Sequence, residues 1–175
     1  MKTYILLILL MSSFTGCSGF LDDELSIKRT DYSGNELKIS GYYYYDYGNS
    51  NPEGYMDVYF LFRNGIILEG GTFKKSELVD EEAKYQTSGW SASMRKYKDV
   101  WGVFKIQANN IEYERWYSGE PPLKSYVSSG VILNDSTFQI TKSRRSNGKE
   151  VTSENTIYRF KAFSPKPDST NTFVK

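Results

Sequence analysis

The chain has 175 residues, with 22 lysines and arginines against 21 aspartates and glutamates, one cysteine and no histidine. That length suits one domain with its own core, and the near-neutral charge excludes the clustered basic surface that nucleic acid demands. A single cysteine excludes an internal disulfide, and the lack of histidine excludes Ser-His-Asp and Cys-His catalysis and the common zinc sites.

Residues 1–16 have the pattern of a signal peptide. Lys2 precedes an apolar run from Tyr4 to Met11, and small polar residues lead to Cys17. The run falls well short of the roughly 20 residues that a membrane-spanning helix needs, so the expectation is export and not a transmembrane anchor. Removing this segment takes away Lys2, its one charged residue, and leaves a neutral chain. Phe14-Thr15-Gly16-Cys17 resembles the lipobox of bacterial lipoproteins. The resemblance implies that Cys17 is the lipid attachment site and the first residue of the mature chain. With no histidine to activate it, the thiol has no case as a nucleophile.

Residues 17–34 are expected to be the lipidated cysteine and a flexible tether, because Ser18–Gly34 is polar, acidic at Asp22-Asp23-Glu24 and without a period. The acidic cluster also resembles the short signals that some Gram-negative bacteria place after the lipobox to send lipoproteins to the cell surface. A solvated acidic linker has the same composition.

The barrel domain is expected over 35–163. Leu37, Ile39, Gly41, Tyr43 and Tyr45 alternate with Lys38, Ser40, Tyr42, Tyr44 and Asp46, the period of a half-buried strand. Gly41 in mid-strand predicts a bend or a close backbone approach. Tyr55–Arg63 and Ile66–Phe73 flank Asn64-Gly65, a strong hairpin signal. Ser76–Gln86 changes to a helical pattern, with Ser76 as N-cap, acids early and Lys84 late, and Gly89 is expected to end or break it. Asp80-Glu81-Glu82 reads as a solvated face. Strands resume at Trp101–Gln107, Ile111–Ser118, Ser125–Leu133, Thr137–Arg144 and Thr156–Phe163, joined by short turns. Asn134-Asp135-Ser136 matches a glycosylation sequon, but hairpin-turn chemistry explains it. Residues 164–175, with Pro165 and Pro167, form an irregular tail.

This pattern predicts an all-β fold, an antiparallel up-and-down barrel of about eight strands with one short helix inserted after the third. A β-sandwich is the alternative. The chain looks like the lipocalin-like lipoproteins of Gram-negative bacteria. Leu37-Lys-Ile-Ser-Gly41, Trp101-Gly-Val-Phe104, Gly130-Val-Ile-Leu-Asn-Asp135 and Ile157-Tyr-Arg-Phe160 carry the resemblance. The lipocalin Gly-x-Trp motif is missing, since Gly41 is followed by four tyrosines, which leaves a calycin-type barrel as the broader match. The resemblance implies a binding or interaction role with no catalytic residues.

Tyr43 and Tyr45 share the apolar face and read as core. Tyr42 and Tyr44 share the polar face, exposed or covered by another element, and are the candidate ligand or partner contacts. Glu112 and Glu114 share a strand face with Trp116, with α-carbons about 7 Å apart, a spacing that suits paired carboxylates. Ile111, Tyr113 and Tyr117 form the more natural inward face, which makes outward, solvated glutamates the simpler reading. Lys142, Arg144, Arg145 and Lys149 make a modest basic hairpin tip. No calcium loop or phosphate-cradling glycine motif occurs, and no cofactor or metal is expected.

The functional expectation is a non-enzymatic, lipid-anchored outer-membrane protein, on the periplasmic face or the cell surface, whose barrel binds a small apolar or aromatic ligand. The alternative is an interaction module that docks an envelope protein through exposed aromatics, and a glycan-active enzyme ranks third.

Overall fold

The computed structural model describes residues 21–48, 54–119 and 121–175. The expected signal peptide and Cys17 lie outside the described residues. Eight strands pair in sequence order and close, making the expected up-and-down antiparallel barrel. They are β1 (Gly41–Asp46), β2 (Tyr55–Leu61), β3 (Ile66–Lys74), β4 (Trp101–Gln107), β5 (Asn110–Trp116), β6 (Ser125–Asn134), β7 (Thr137–Arg145) and β8 (Thr152–Ala162). Closure comes from β1 pairing with β8, Gly41 opposite Ala162 and Tyr43 opposite Phe160. A Cβ at Gly41 would lie 2.0 Å from the Lys161 carbonyl oxygen, so the close approach expected there is real and only glycine allows it. Gly65, at φ +75°, makes the expected tight turn between β2 and β3.

Strand bounds differ most from the sequence pattern at two places. Residues 37–40 are not strand and instead cross the lower end of the barrel, while β8 begins four residues earlier than expected. Leu37 nevertheless keeps its buried side chain (1% exposed) and plugs that end with Tyr32. The Tyr32 hydroxyl accepts the Leu37 N–H at 2.9 Å, and Lys38 N–H donates to the Asp135 carbonyl at 2.8 Å.

Ring contacts show which residues face the lumen. Tyr59 on β2 meets Tyr113 on β5 at 5.8 Å and Tyr158 on β8 at 5.5 Å, which strands that are not neighbours achieve only across the interior. Tyr43, Phe104, Ile111, Phe138 and Ile140 join them in one inner core. Edge-to-face and offset rings at these distances add to area burial. The lower and middle barrel is thus filled by side chains, as the small circumference of eight strands allows.

The outer face carries a second core. After β3 the chain makes a 3-10 turn, Lys75–Glu77, then α1 (Leu78–Tyr85) and α2 (Ser88–Met94). Ser76 sits inside the 3-10 turn and is no cap, because the Glu77 carboxylate takes the Lys74 N–H at 3.0 Å. Gly89 does not stop the helical segment, since Thr87 Oγ1 accepts the Trp90 N–H at 3.2 Å and restarts it. Tyr85 and Trp90 from this insert stack edge-on with Phe60 of β2 at 5.1 and 6.5 Å. Glu82 is not a solvated carboxylate: it accepts the Tyr42 hydroxyl and bridges Lys161, each at 2.7 Å.

Two irregular segments complete this outer core, and the first corrects an expectation. Residues 21–34 are not a free tether but a strap bound along the barrel wall. Ile27 and Tyr32 are buried, and Trp116 Nε1 donates to the Asp23 carbonyl at 2.6 Å. The fastening group is Glu114. It points outward as the alternation requires, yet it is fully buried beneath the strap. Its carboxylate accepts the Ser26 and Ile27 N–H groups at 2.9 and 2.6 Å and the Ser26 and Ser146 hydroxyls. Composition misjudged the strap because its polar groups find partners on the barrel, so that few apolar residues suffice to order it. The tail is irregular, as expected, and packed. Val174 is buried, and Lys166 Nζ donates to the Ile39 and Leu61 carbonyls at 2.8 and 2.5 Å.

Two predictions follow from these fastenings. Glu114→Ala leaves the buried Ile27 N–H and the part-buried Ser26 N–H without an acceptor and should cost about 3 kcal/mol, measured by urea unfolding, with protease cleavage appearing first within 21–34. Burial, helped by the Arg63 charge, lowers the Lys166 ammonium to about 8 from 10.5. Between those values the unfolded chain holds the extra proton, so stability should rise with pH above 8. Above pH 10 it should fall, because burial holds Tyr42, Tyr43 and Tyr85 above their ordinary value of 10.0 and the unfolded tyrosines ionise first. Lys166→Met should erase the rise and keep the fall in melting temperature across pH.

Candidate functional site

The turns 62–65, 108–109 and 135–136 lie at the lower end, so the β5–β6 and β7–β8 connections meet at the upper one, the mouth. A cleft of about 470 Å³ opens there between the barrel rim and the β5–β6 connection. Tyr117, Tyr126, Ser143 and Glu154 form its barrel side, and Leu123 and Lys124 its outer side. Tyr126 and Ser143 share the inward face because they pair laterally with Arg145 and Ser128, in line with Arg115 and Tyr113 of β5. The Tyr117 and Tyr126 rings meet edge-to-face at 5.0 Å, and Tyr117 remains 39% exposed.

Beneath Tyr117 lies the one ion pair of the lumen among the described residues. Arg115 faces inward and is 6% exposed. Its two terminal nitrogens fork onto Glu69, Nη1 to Oε2 at 2.5 Å and Nη2 to Oε1 at 3.1 Å. Nη2 also donates to the Tyr59 hydroxyl at 3.0 Å and Nη1 to the Asp99 carbonyl at 3.1 Å. The guanidinium carbon lies 4.6 Å from the Tyr117 ring centre and 5.3 Å from that of Tyr59, so the cation is sandwiched between π faces. Burial pushes the Glu69 carboxyl up while the Arg115 charge opposes that push. Burial likewise raises Tyr59, Tyr113 and Tyr158, the second of these to about 12, so these phenols stay neutral donors at physiological pH.

Arg115 Nε has no hydrogen-bond partner among the described residues. A buried N–H in that condition calls for an acceptor from a ligand or a water. The mouth cleft itself combines two aromatic rings with the polar side chains of Ser118, Lys124, Ser143 and Glu154, while the Arg115–Glu69 pair is buried beneath Tyr117. That arrangement suits a flat or apolar molecule that can also hydrogen-bond to these polar groups.

The sequence-predicted candidates fall elsewhere. Tyr42 is fully buried under the helical insert, held by Glu82, Phe60 and Phe163. Tyr44 is half-buried beside it, and both border a smaller cleft of about 330 Å³ that also meets Met56, Leu78 and Phe160. The two tyrosines are thus on the outer wall of β1, covered in part, and do not line the mouth cleft. Glu112 points outward and pairs with Lys105 at 3.0 Å, while Glu114 is consumed by the strap, so the two carboxylates do not converge on a common opening. The basic tip is engaged as well, with Arg145 forking onto Asp23 at 2.9 and 3.0 Å.

The alternation that put Ile111, Tyr113 and Tyr117 inward also puts Arg115 there. That was the available signal for the lumen cation. Glu69 carried no such signal, because a register shift at Val58/Tyr59 breaks the parity of β3 against β2. Among the described residues no cluster of three or more His, Cys, Asp or Glu is placed to hold a metal, and no helix is long and apolar enough to cross a membrane.

No family model, curated protein or solved structure matches the chain.

Glu69→Gln should destabilise the protein by about 3–5 kcal/mol, since it leaves the Arg115 cation buried without its counter-charge. Replacing both partners with leucine should restore much of that loss in chemical unfolding, and a double change as costly as the single one would contradict this reading of the pair.

Proposed function

We propose that the protein is a lipid-anchored component of the outer membrane, attached through Cys17, whose lipocalin-like barrel binds a small apolar or aromatic ligand at its mouth and performs no chemistry on it. The observation that carries the reading is the Tyr117–Tyr126 cleft at the barrel mouth. Its volume lies within the range of small-molecule sites, and its lining pairs aromatic rings with a few polar groups, Ser118, Lys124, Ser143 and Glu154. The filled lower barrel confines the ligand to the rim, in contrast to a barrel that encloses its cargo. The lipobox resemblance at Phe14–Cys17 supports the anchor. The outward, already engaged Glu112 and Glu114 support a non-enzymatic role.

A second reading has its own observation. The cleft that Tyr42 and Tyr44 border on the outer wall presents apolar surface from Met56, Leu78 and Phe160 and would suit a docked segment of an envelope protein.

Mass spectrometry of protein purified from its own membranes tests both the anchor and the ligand. The expected result is an acylated terminus at Cys17 and a small molecule that co-purifies with the native chain. Tyr117→Ala with Tyr126→Ala should reduce that molecule at least several-fold and leave the fold intact by circular dichroism. Tyr44→Ala should not. Loss on Tyr44→Ala alone would favour the outer cleft, and an unmodified Cys17 would refute the anchor.

A further inference from the structure

The strap begins at the mouth. Asp23 N–H donates to the Leu123 carbonyl at 2.8 Å, and the Asp22 carboxylate accepts the Leu123 N–H at 2.7 Å and bridges Lys98 at 2.8 Å. Leu123 is itself part of the mouth cleft. Salt bridging holds both aspartates in their charged form against the opposing push of burial: Lys98 lowers the Asp22 carboxyl and Arg145 lowers that of Asp23. Asp22 and Asp23 are therefore a clamp on the rim.

Asp22 stands five residues beyond Cys17. Five residues of chain reach at most about 18 Å even when fully extended. The far end of the barrel lies roughly 20 Å down β5 along the strand, or about 15 Å along the barrel axis at the usual strand tilt. A barrel standing on its far end would use nearly the whole lead, drawn straight down the wall, whereas one resting on its mouth uses little of it.

We propose that the mouth end of the barrel rests against the lipid surface, so that the Tyr117–Tyr126 cleft opens toward the membrane interface. The inference rests on the lipidation of Cys17 proposed above. Side chains at that end fit the partner. Leu21 is 75%, Tyr97 52% and Val151 58% exposed, each in or beside a mouth-end segment. Lys96 and Lys149 are exposed near them. Aromatic rings, aliphatic side chains and lysine heads are the groups that the headgroup region favours. The competing apolar pair, Val131 and Leu133, is exposed on the far half of β6, next to the 108–109 turn.

The full chain, made in a bacterium that acylates it, carries its only native cysteine sulfur in the lipid linkage, so single cysteines can be labelled elsewhere. Ser118→Cys and Val151→Cys mark the mouth, and Asn109→Cys marks the far end; all three positions are exposed. Each variant bears a fluorophore and is reconstituted into phosphatidylethanolamine–phosphatidylglycerol vesicles that contain a headgroup-nitroxide lipid. The expected result is several-fold stronger quenching at Ser118 and Val151 than at Asn109. Equal quenching at the three positions, or stronger quenching at Asn109, overturns the orientation while flotation with the vesicles upholds the anchor. Failure to float, with an unacylated terminus by mass spectrometry, overturns the anchor and the orientation together.

Discussion

The pairing of β1 with β8 is the constraint on which the rest depends. Once Gly41 and Tyr43 lie against Ala162 and Phe160, the sheet has no free edge, and every strand acquires an inside and an outside. The inside of an eight-stranded barrel holds little more than its own side chains. Here aromatic rings that touch across the lumen occupy it, among them Tyr59 with Tyr113 and Tyr158. The glycine at the closure is therefore a packing requirement: a side chain there would strike the opposing backbone.

The outside is also apolar over much of its area, which a barrel alone cannot tolerate in water. Phe60, Val58, Leu68, Trp101, Val103 and Trp116 form a second hydrophobic layer. Three covers satisfy it: the helical insert over β1 and β2, the strap over β4 and β5, and the tail between them. The covers are held by polar groups in specific places. Glu114 ties down the strap, Glu82 joins the insert to Tyr42 and Lys161, and Lys166 ties the tail to the carbonyls of the lower end. Burial of charge is tolerated at these points because each group meets donors or acceptors enough to replace water.

The mouth is where this economy of satisfied groups stops. Arg115 and Glu69 neutralise one another below the rim, and Tyr59 and Tyr117 enclose the guanidinium, yet Arg115 Nε is buried there without a partner among the described residues. The clamp of Asp22 and Asp23 on the same rim brings the chain's amino-terminal side to this end of the barrel. On the proposed reading, binding surface and attachment point share this end of the barrel.

Much of the fold could be read from residue order alone. Alternation set the inward and outward faces of β1 and β5, the Asn64-Gly65 pair set a turn, and the shift from a two-residue to a helical period located the insert, because each depends on neighbours within a few residues. The export pattern at 1–16 and the resemblance around Cys17 are likewise properties of the chain alone. Closure of the barrel, the conversion of 21–34 from tether to strap, and the joining of Arg115 to Glu69 were decided only by tertiary structure. Their partners lie tens of residues apart, Ser26 and Glu114 by 88 and Arg115 and Glu69 by 46. A polar residue's solvation, unlike its periodicity, depends on what the distant chain lays over it. That is why Tyr42 and Glu114 read as surface and are core, and why Glu82 reads as solvated and is engaged.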